Sequence, residues 1–265
     1  RAAPGEVPAW AAPMSLTHFI IILIAGTAAG TINTVVGSGS LITFPTLVAL
    51  GYPPLLANVS NNIGLVPGSV SGVIGYRREL VGQQDRLRRL VPASLLGGLT
   101  GSTLLLLLPS KVFQKVVVVL IAIALVLVIV QPILSKRLAA RRAEGGHGSR
   151  DVTFVLAALV FATGIYGGYF GAAQGIILIA VLSIFLDDDL QRLNASKNVL
   201  AMSVNAVASV VFIFSTEVDW KVVGTIAVGS TIGGQIGARV GRRLNPKVLR
   251  AAIVVVGLTA LVRLL

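Results

Sequence analysis

Apolar residues in this chain run in long blocks, at about 16–50, 90–108, 112–134, 152–186, 195–216 and 221–238, and the polar and charged residues gather between them. Runs such as Val116–Val130 and Phe154–Phe161 sit inside longer apolar stretches that meet the roughly 20 residues a membrane-spanning helix needs. Blocks 16–50 and 152–186, at about 35 residues each, are too long for one simple span. Each also carries glycines at which to break: Gly37-Ser38-Gly39-Ser40 in the first, and Gly167-Gly168-Tyr169-Phe170-Gly171 with Gly175 in the second. Both are expected to form a broken-helix hairpin that returns to its own side of the bilayer.

The pattern occurs twice. Gly26, Gly30, Gly37, Ala57 and Ser71 recur 138 residues later (164 − 26 = 138) as Gly164, Gly168, Gly175, Ala195 and Ser209. Gly97-Gly98-x-x-Gly101 with Leu108 and Lys111 recurs at an offset of 136 (233 − 97 = 136) as Gly233-Gly234-x-x-Gly237 with Leu244 and Lys247. Internal duplication in a helical membrane protein is characteristic of secondary transporters, whose substrate site lies between the repeats near the bilayer midplane. The expected organisation is a tail at 1–15, a transmembrane repeat at 16–134, a basic cytoplasmic linker at 135–151 and a second transmembrane repeat at 152–265.

Charge sets the orientation. Fifteen of the 22 Lys and Arg residues fall in 77–89, 135–151 and 239–250, which the positive-inside rule places in the cytoplasm. Two apolar helices separate the first two basic segments, an even number. Three apolar blocks separate the second and third, so the parity closes only if block 152–186 returns to its own side. Each half then holds one hairpin plus three crossings, an odd unit, and an odd unit repeated in tandem inserts upside down. The loops agree: 77–89 is rich in arginine, whereas its counterpart near 215–225 carries Glu217 and Asp219 with only Lys221. The expected fold is therefore an all-α integral membrane protein of two inverted-topology repeats, each a broken-helix hairpin plus three transmembrane helices.

Composition narrows the function. The chain is 55% hydrophobic, and its mean hydropathy of +0.89 excludes an ordinary soluble domain. The net charge of +12 is accounted for by cytoplasmic loops, so no nucleic-acid partner is implied. With no cysteine and only two isolated histidines, His18 and His147, no metal centre and no cofactor is expected. Strand-to-helix phosphate loops and intramembrane Ser/His/Asp sets are absent from the pattern, which argues against an enzyme. No Asp or Glu falls within an expected span, so there is no carboxylate proton relay.

Non-helical backbone inside a membrane is tolerated only where it is buried in protein or lines a cavity. A helix beginning near Ser40 would present free N–H groups and a positive dipole end, with Gly37, Ser38, Gly39 and Ser40 forming an anion cradle. The matching break supplies Gln174 and Gly175. Asn58, Ser60, Asn61 and Asn62 open one otherwise apolar helix, and Asn194, Ser196, Lys197 and Asn198 open its counterpart. Asn and Ser can donate to oxyanions, and Lys197 adds one cation. Asn33, Asn205 and Gln235 complete the candidate substrate-binding set. Competing explanations are close helix packing for the glycines, helix capping for Asn58 and Asn194, and a lysine snorkelling to the interface for Lys197. Gly97, Gly98, Gly101 and their counterparts are expected to be packing devices.

The run Gly26-Thr-Ala-Ala-Gly30-Thr-Ile-Asn33-Thr-Val-Val-Gly37-Ser-Gly39-Ser-Leu-Ile-Thr-Phe-Pro45, followed by Leu47 to Gly51, Pro53 and Ala57, resembles the glycine-rich first repeat of the TauE/SafE sulfite exporter family, also called TSUP. Gly164 to Gly175 with Ala195 resembles its second repeat. The resemblance implies a bacterial inner-membrane carrier for sulfite, sulfoacetate or related organosulfonates. The implied partners are a small anionic substrate and the lipid bilayer, with homo-oligomerisation left open. A carrier working by alternating access and a small-anion channel or facilitator would use the same donors; counterflow distinguishes the first, ohmic current the second.

Overall fold

The computed structural model describes residues 14–143, 152–240 and 246–264. The expected tail (through residue 13) and the linker from 144 to 151 therefore lie outside the described residues. Ten helices occur among those described: α1 (Leu16–Val35), α2 (Ser40–Ala49), α3 (Pro54–Gly75), α4 (Gln84–Leu107), α5 (Ser110–Ala143), α6 (Phe154–Tyr169), α7 (Gln174–Phe185), α8 (Leu190–Ser215), α9 (Trp220–Val240) and α10 (Pro246–Leu264). Among the described residues, four stretches are long and apolar enough to cross a membrane: Leu16–Val35, Gln84–Leu107, Val112–Leu134 and Leu190–Ser215.

Local chemistry fixes the helix starts. Ser15 accepts a hydrogen bond from the His18 N–H at 3.1 Å, Thr153 from Leu156 at 3.2 Å, Asp189 from Gln191 at 2.8 Å and Asp219 from Lys221 at 2.9 Å, so among the described residues four N-termini carry side-chain caps. At α3, Pro54 occupies the first turn, where its missing N–H costs nothing and its fixed φ suits a helix. Asn58 and Asn194 lie inside α3 and α8, one turn past the start, so capping of their own helices is not their role. Helical backbone also extends further than the apolar blocks. Helix α4 begins at Gln84 and α5 continues to Ala143, because arginine and lysine are good helix formers and lengthen a helix beyond its lipid-solvated part.

The packing comes in matched pairs. Helix α9 lies against α1 and α3, and α4 lies against α6 and α8; α2 meets α10 while α7 meets α5; α3 packs on α8 and α5 on α10. Exchanging α1–α5 for α6–α10 maps each of these pairings onto another or onto itself. The glycine triplets make the approach close. A Cβ on Gly97 or Gly101 would run into the Phe161 or Ile165 carbonyl of α6, and one on Gly233 or Gly234 into the Thr27 carbonyl of α1 or the Gly68 carbonyl of α3. Lipid supplies no hydrophobic drive between helices, so such contacts and cross-helix hydrogen bonds carry the association. Those bonds include Thr31 Oγ1 to the Gly233 carbonyl at 3.1 Å, Ser71 Oγ to that of Thr231 at 2.8 Å and Ser230 Oγ to that of Gly64 at 2.9 Å.

A polar network ties the arginine-rich connection after α3 to the start of α8. Arg86 pairs with Asp188 at 2.8 Å, Arg192 pairs with the same carboxylate at 2.8 Å, and buried Gln83 donates to the Arg192 carbonyl at 3.0 Å.

Candidate functional site

Both long blocks break where the glycines stand. Helix α1 ends at Val35 and α2 starts at Ser40; α6 ends at Tyr169 and α7 starts at Gln174. The two breaks touch each other: the Gly175 N–H, in the first turn of α7, donates to the Gly37 carbonyl at 3.0 Å. Gly37 has φ +88°, and a Cβ on either Gly37 or Gly175 would strike the backbone of the other. Both glycines are therefore required on separate grounds, Gly37 by conformation and contact and Gly175 by contact. Across the junction Phe44 of α2 meets Phe170 edge to face, with ring centroids 5.3 Å apart. Phe113 of α5 packs on Tyr169 at 5.9 Å.

Two donors flank this contact without partners. Ser38 Oγ and Gln174 Nε2 are buried and make no hydrogen bond, and their residues are 0% and 3% exposed. Each is one residue from the Gly37–Gly175 contact, and consecutive Cα atoms lie about 3.8 Å apart. The Gln174 side chain rests over Gly167 of α6, where any Cβ would displace its amide. Tyr169, at the end of α6, has a buried hydroxyl in the same condition. Leaving such a group unpaired costs about 1–3 kcal/mol, a penalty that a bound acceptor would recover. Ser94 Oγ on α4 is likewise unpaired, away from the helix breaks in sequence.

Asparagines hold the breaks open at their edges. Asn61 of α3 donates to Ser40 Oγ at 3.2 Å and accepts from Thr43 Oγ1, gripping the first turn of α2. Asn58 donates to the Tyr169 carbonyl at 3.2 Å and so closes the end of α6 from the other half of the chain. The end of α1 is treated reciprocally by α8: Asn194 and Asn198 each donate to the Thr34 carbonyl at 3.3 Å, and Lys197 Nζ donates to Asn33 and Thr34 carbonyls at 3.2 and 3.3 Å. At 1% exposure Lys197 is buried, so it is not a snorkelling side chain. Asn33 also reaches Ser69 Oγ at 3.5 Å, the outer limit of a hydrogen bond. Asn62 accepts from Ser209 on α8 at 2.9 Å, and Asn205 is buried one turn earlier on the same helix.

Three candidates point elsewhere. Gln235 spends its amide on the Ser71 carbonyl and hydroxyl at 2.9 and 3.0 Å, a tie between α9 and α3. Ser196 donates to Gln83 at 2.5 Å, and Ser60 accepts the Asp219 N–H at 3.3 Å; both serve inter-helix connections. Conversely, Tyr166 and Tyr169 were not among the sequence candidates. Tyr166 donates its hydroxyl to the Ala172 carbonyl and braces the second break, while Tyr169 brings the unpaired hydroxyl noted above. The signal was their place beside Gly167 and Gly168: an aromatic hydroxyl in an intramembrane break must find a partner.

The chain is similar to known membrane proteins over most of its length. A probable membrane transporter protein, ORF9, of Sinorhizobium sp. is 27% identical over 254 residues, covering 94% of this chain and 93% of that protein. The probable membrane transporter protein YfcA of Escherichia coli K12 is 25% identical over 246 residues, with 92% and 88% covered. A probable membrane transporter protein of Haemophilus influenzae is 22% identical over 239 residues, with 89% and 90% covered. The family model described as "Sulfite exporter TauE/SafE" matches residues 22–264, nearly the whole chain, and the protein is a multi-pass membrane protein of the TauE/SafE family.

Proposed function

We propose that this protein is a secondary transporter of small sulfur-containing oxyanions, such as sulfite, sulfoacetate or related organosulfonates, in the bacterial inner membrane. Residues 16–134 and 152–265 act as two inverted-topology repeats, and the anion is held between them where the helix breaks meet. One observation carries the proposal: the contact between Gly37 and Gly175 is flanked on each side by a buried donor without a partner, Ser38 Oγ and Gln174 Nε2. Each flank is also the N-terminal end of a helix, α2 or α7, whose dipole favours negative charge.

The reciprocal pairing of α1–α5 with α6–α10 supports a duplicated carrier, and the parity of the basic segments supports inversion. Alternating access follows if one set of helices rocks against the other about the glycine contact, exposing the donors to each side in turn. Binding tests the assignment. Thermal stabilisation of purified protein is expected from sulfite and sulfoacetate and not from cations of similar size. In the double variant Ser38→Ala/Gln174→Ala that stabilisation is expected to fall at least tenfold in apparent affinity. Equal stabilisation of the variant would remove these donors from the site.

A further inference from the structure

Lys197 is the one charged side chain buried among the described residues, and it has no carboxylate partner among them. Its ammonium meets the Asn33 and Thr34 carbonyls at 3.2 and 3.3 Å, at the C-terminal end of α1. The Asn194 and Asn198 amides converge on the same Thr34 carbonyl, each at 3.3 Å, and each amide also carries an oxygen that can accept or ligate. A helix end of this kind carries about −0.5 elementary charge, and the carbonyls of the last turn lack intrahelical partners. Unwound backbone carbonyls and the C-terminal ends of half-helices coordinate monovalent cations in carriers built on broken helices.

We propose that the Lys197 ammonium is a tethered substitute for a monovalent cation, filling a cation site made by the Asn33 and Thr34 carbonyls with Asn194 and Asn198. Aligning the cluster Asn58-Val59-Ser60-Asn61-Asn62 with Asn194-Ala195-Ser196-Lys197-Asn198 sets Asn61 opposite Lys197, and the first half closes α6 with the neutral amide of Asn58. Among the described residues, only the second half carries a buried charge. At the first break the negative end of α1 lies within a few residues of the positive end of α2, and the two would largely cancel. Lys197 neutralises the former and leaves the latter free to attract an anion, a consequence that rests on the proposed function. The occupancy of the cation site does not.

The test uses the full chain in detergent, with melting temperature measured in sodium, lithium, potassium and choline chloride at one ionic strength so that screening is constant. The wild type should melt at the same temperature in all four. Lys197→Ala should melt lower in choline and recover saturably in sodium or lithium, by about 5–10 °C at a hundredfold excess over Kd. Lys197→Met, which fills the space without charge, should stay low in every salt. The proposal is overturned if Lys197→Ala is indifferent to the cation, if Lys197→Met is rescued as well, or if the wild type itself responds saturably. Failure to recover Lys197→Ala even in sodium and lithium overturns it too, since a bound cation should restore the site. Because no sulfur oxyanion enters the assay, loss of sulfite binding with the cation effect intact would count against the transport proposal alone.

Discussion

Three glycine-to-alanine substitutions separate the two reasons for glycine at position 37. Gly51 has φ +90° with no atom within 4 Å of the place a methyl would take, so Gly51→Ala carries only the left-handed backbone cost, about 1–2 kcal/mol. Gly175 is helical but its methyl would meet the Gly37 backbone, so Gly175→Ala carries the overpacking cost, about 1–3 kcal/mol. Gly37 combines φ +88° with that same contact, and its carbonyl accepts the Gly175 N–H at 3.0 Å. Adding about 0.5–1.5 kcal/mol for a strained hydrogen bond gives about 2.5–6.5 kcal/mol for Gly37→Ala. Denaturant unfolding in mixed micelles reads the series, with the order Gly37→Ala worst, Gly175→Ala next and Gly51→Ala mildest. Anion binding should be lost in the first two and kept in Gly51→Ala. A Gly37→Ala protein no less stable than Gly51→Ala would refute the account of the break as a close backbone contact.

Arg88→Cys and Lys221→Cys, placed singly in this cysteine-free chain, should label from opposite faces of the membrane; labelling from one face would contradict inverted repeats. Lys197→Gln should weaken anion binding without abolishing transport, since the backbone donors of α2 and α7 survive; wild-type affinity would show that its charge is not felt at the site. Burial pushes the Asp188 carboxyl up, but hydrogen bonds from Arg86 and the Asp189 N–H, with the charges of Arg86 and Arg192, outweigh it and hold the group below its ordinary value. A depressed folded-state value means that this carboxylate stabilises the fold above the ordinary Asp range and loses that contribution as pH falls through the folded value. Asp188→Asn should therefore flatten the acid limb of the stability profile, and an unchanged limb would show that the pairing with Arg86 and Arg192 contributes nothing.

Much of the fold was legible in the sequence because lipid imposes long apolar blocks and glycine marks the places where they fail. The start of α2 at Ser40 and of α7 at Gln174 follows from the glycine breaks, and the packing role of Gly97 and Gly233 from their spacing. Partner identity was not legible. Asn58, Asn194, Lys197 and Asn198 read as polar residues at helix starts, but they cap the ends of α6 and α1 across the duplication, at separations in sequence of 111 to 164 residues. Gln235 and Ser196 read as cavity donors yet bind other helices, because a single chain does not reveal which face of a polar helix position meets a neighbouring backbone.

Counterflow in proteoliposomes tests the central claim most directly. Vesicles preloaded with unlabelled sulfite or sulfoacetate should accumulate the labelled anion transiently and saturably, with the response lost in Gly175→Trp and retained in Gly51→Ala. An ohmic conductance without counterflow, or faster exchange of a cation of similar size, would contradict a carrier that holds its anion where the two broken helices meet.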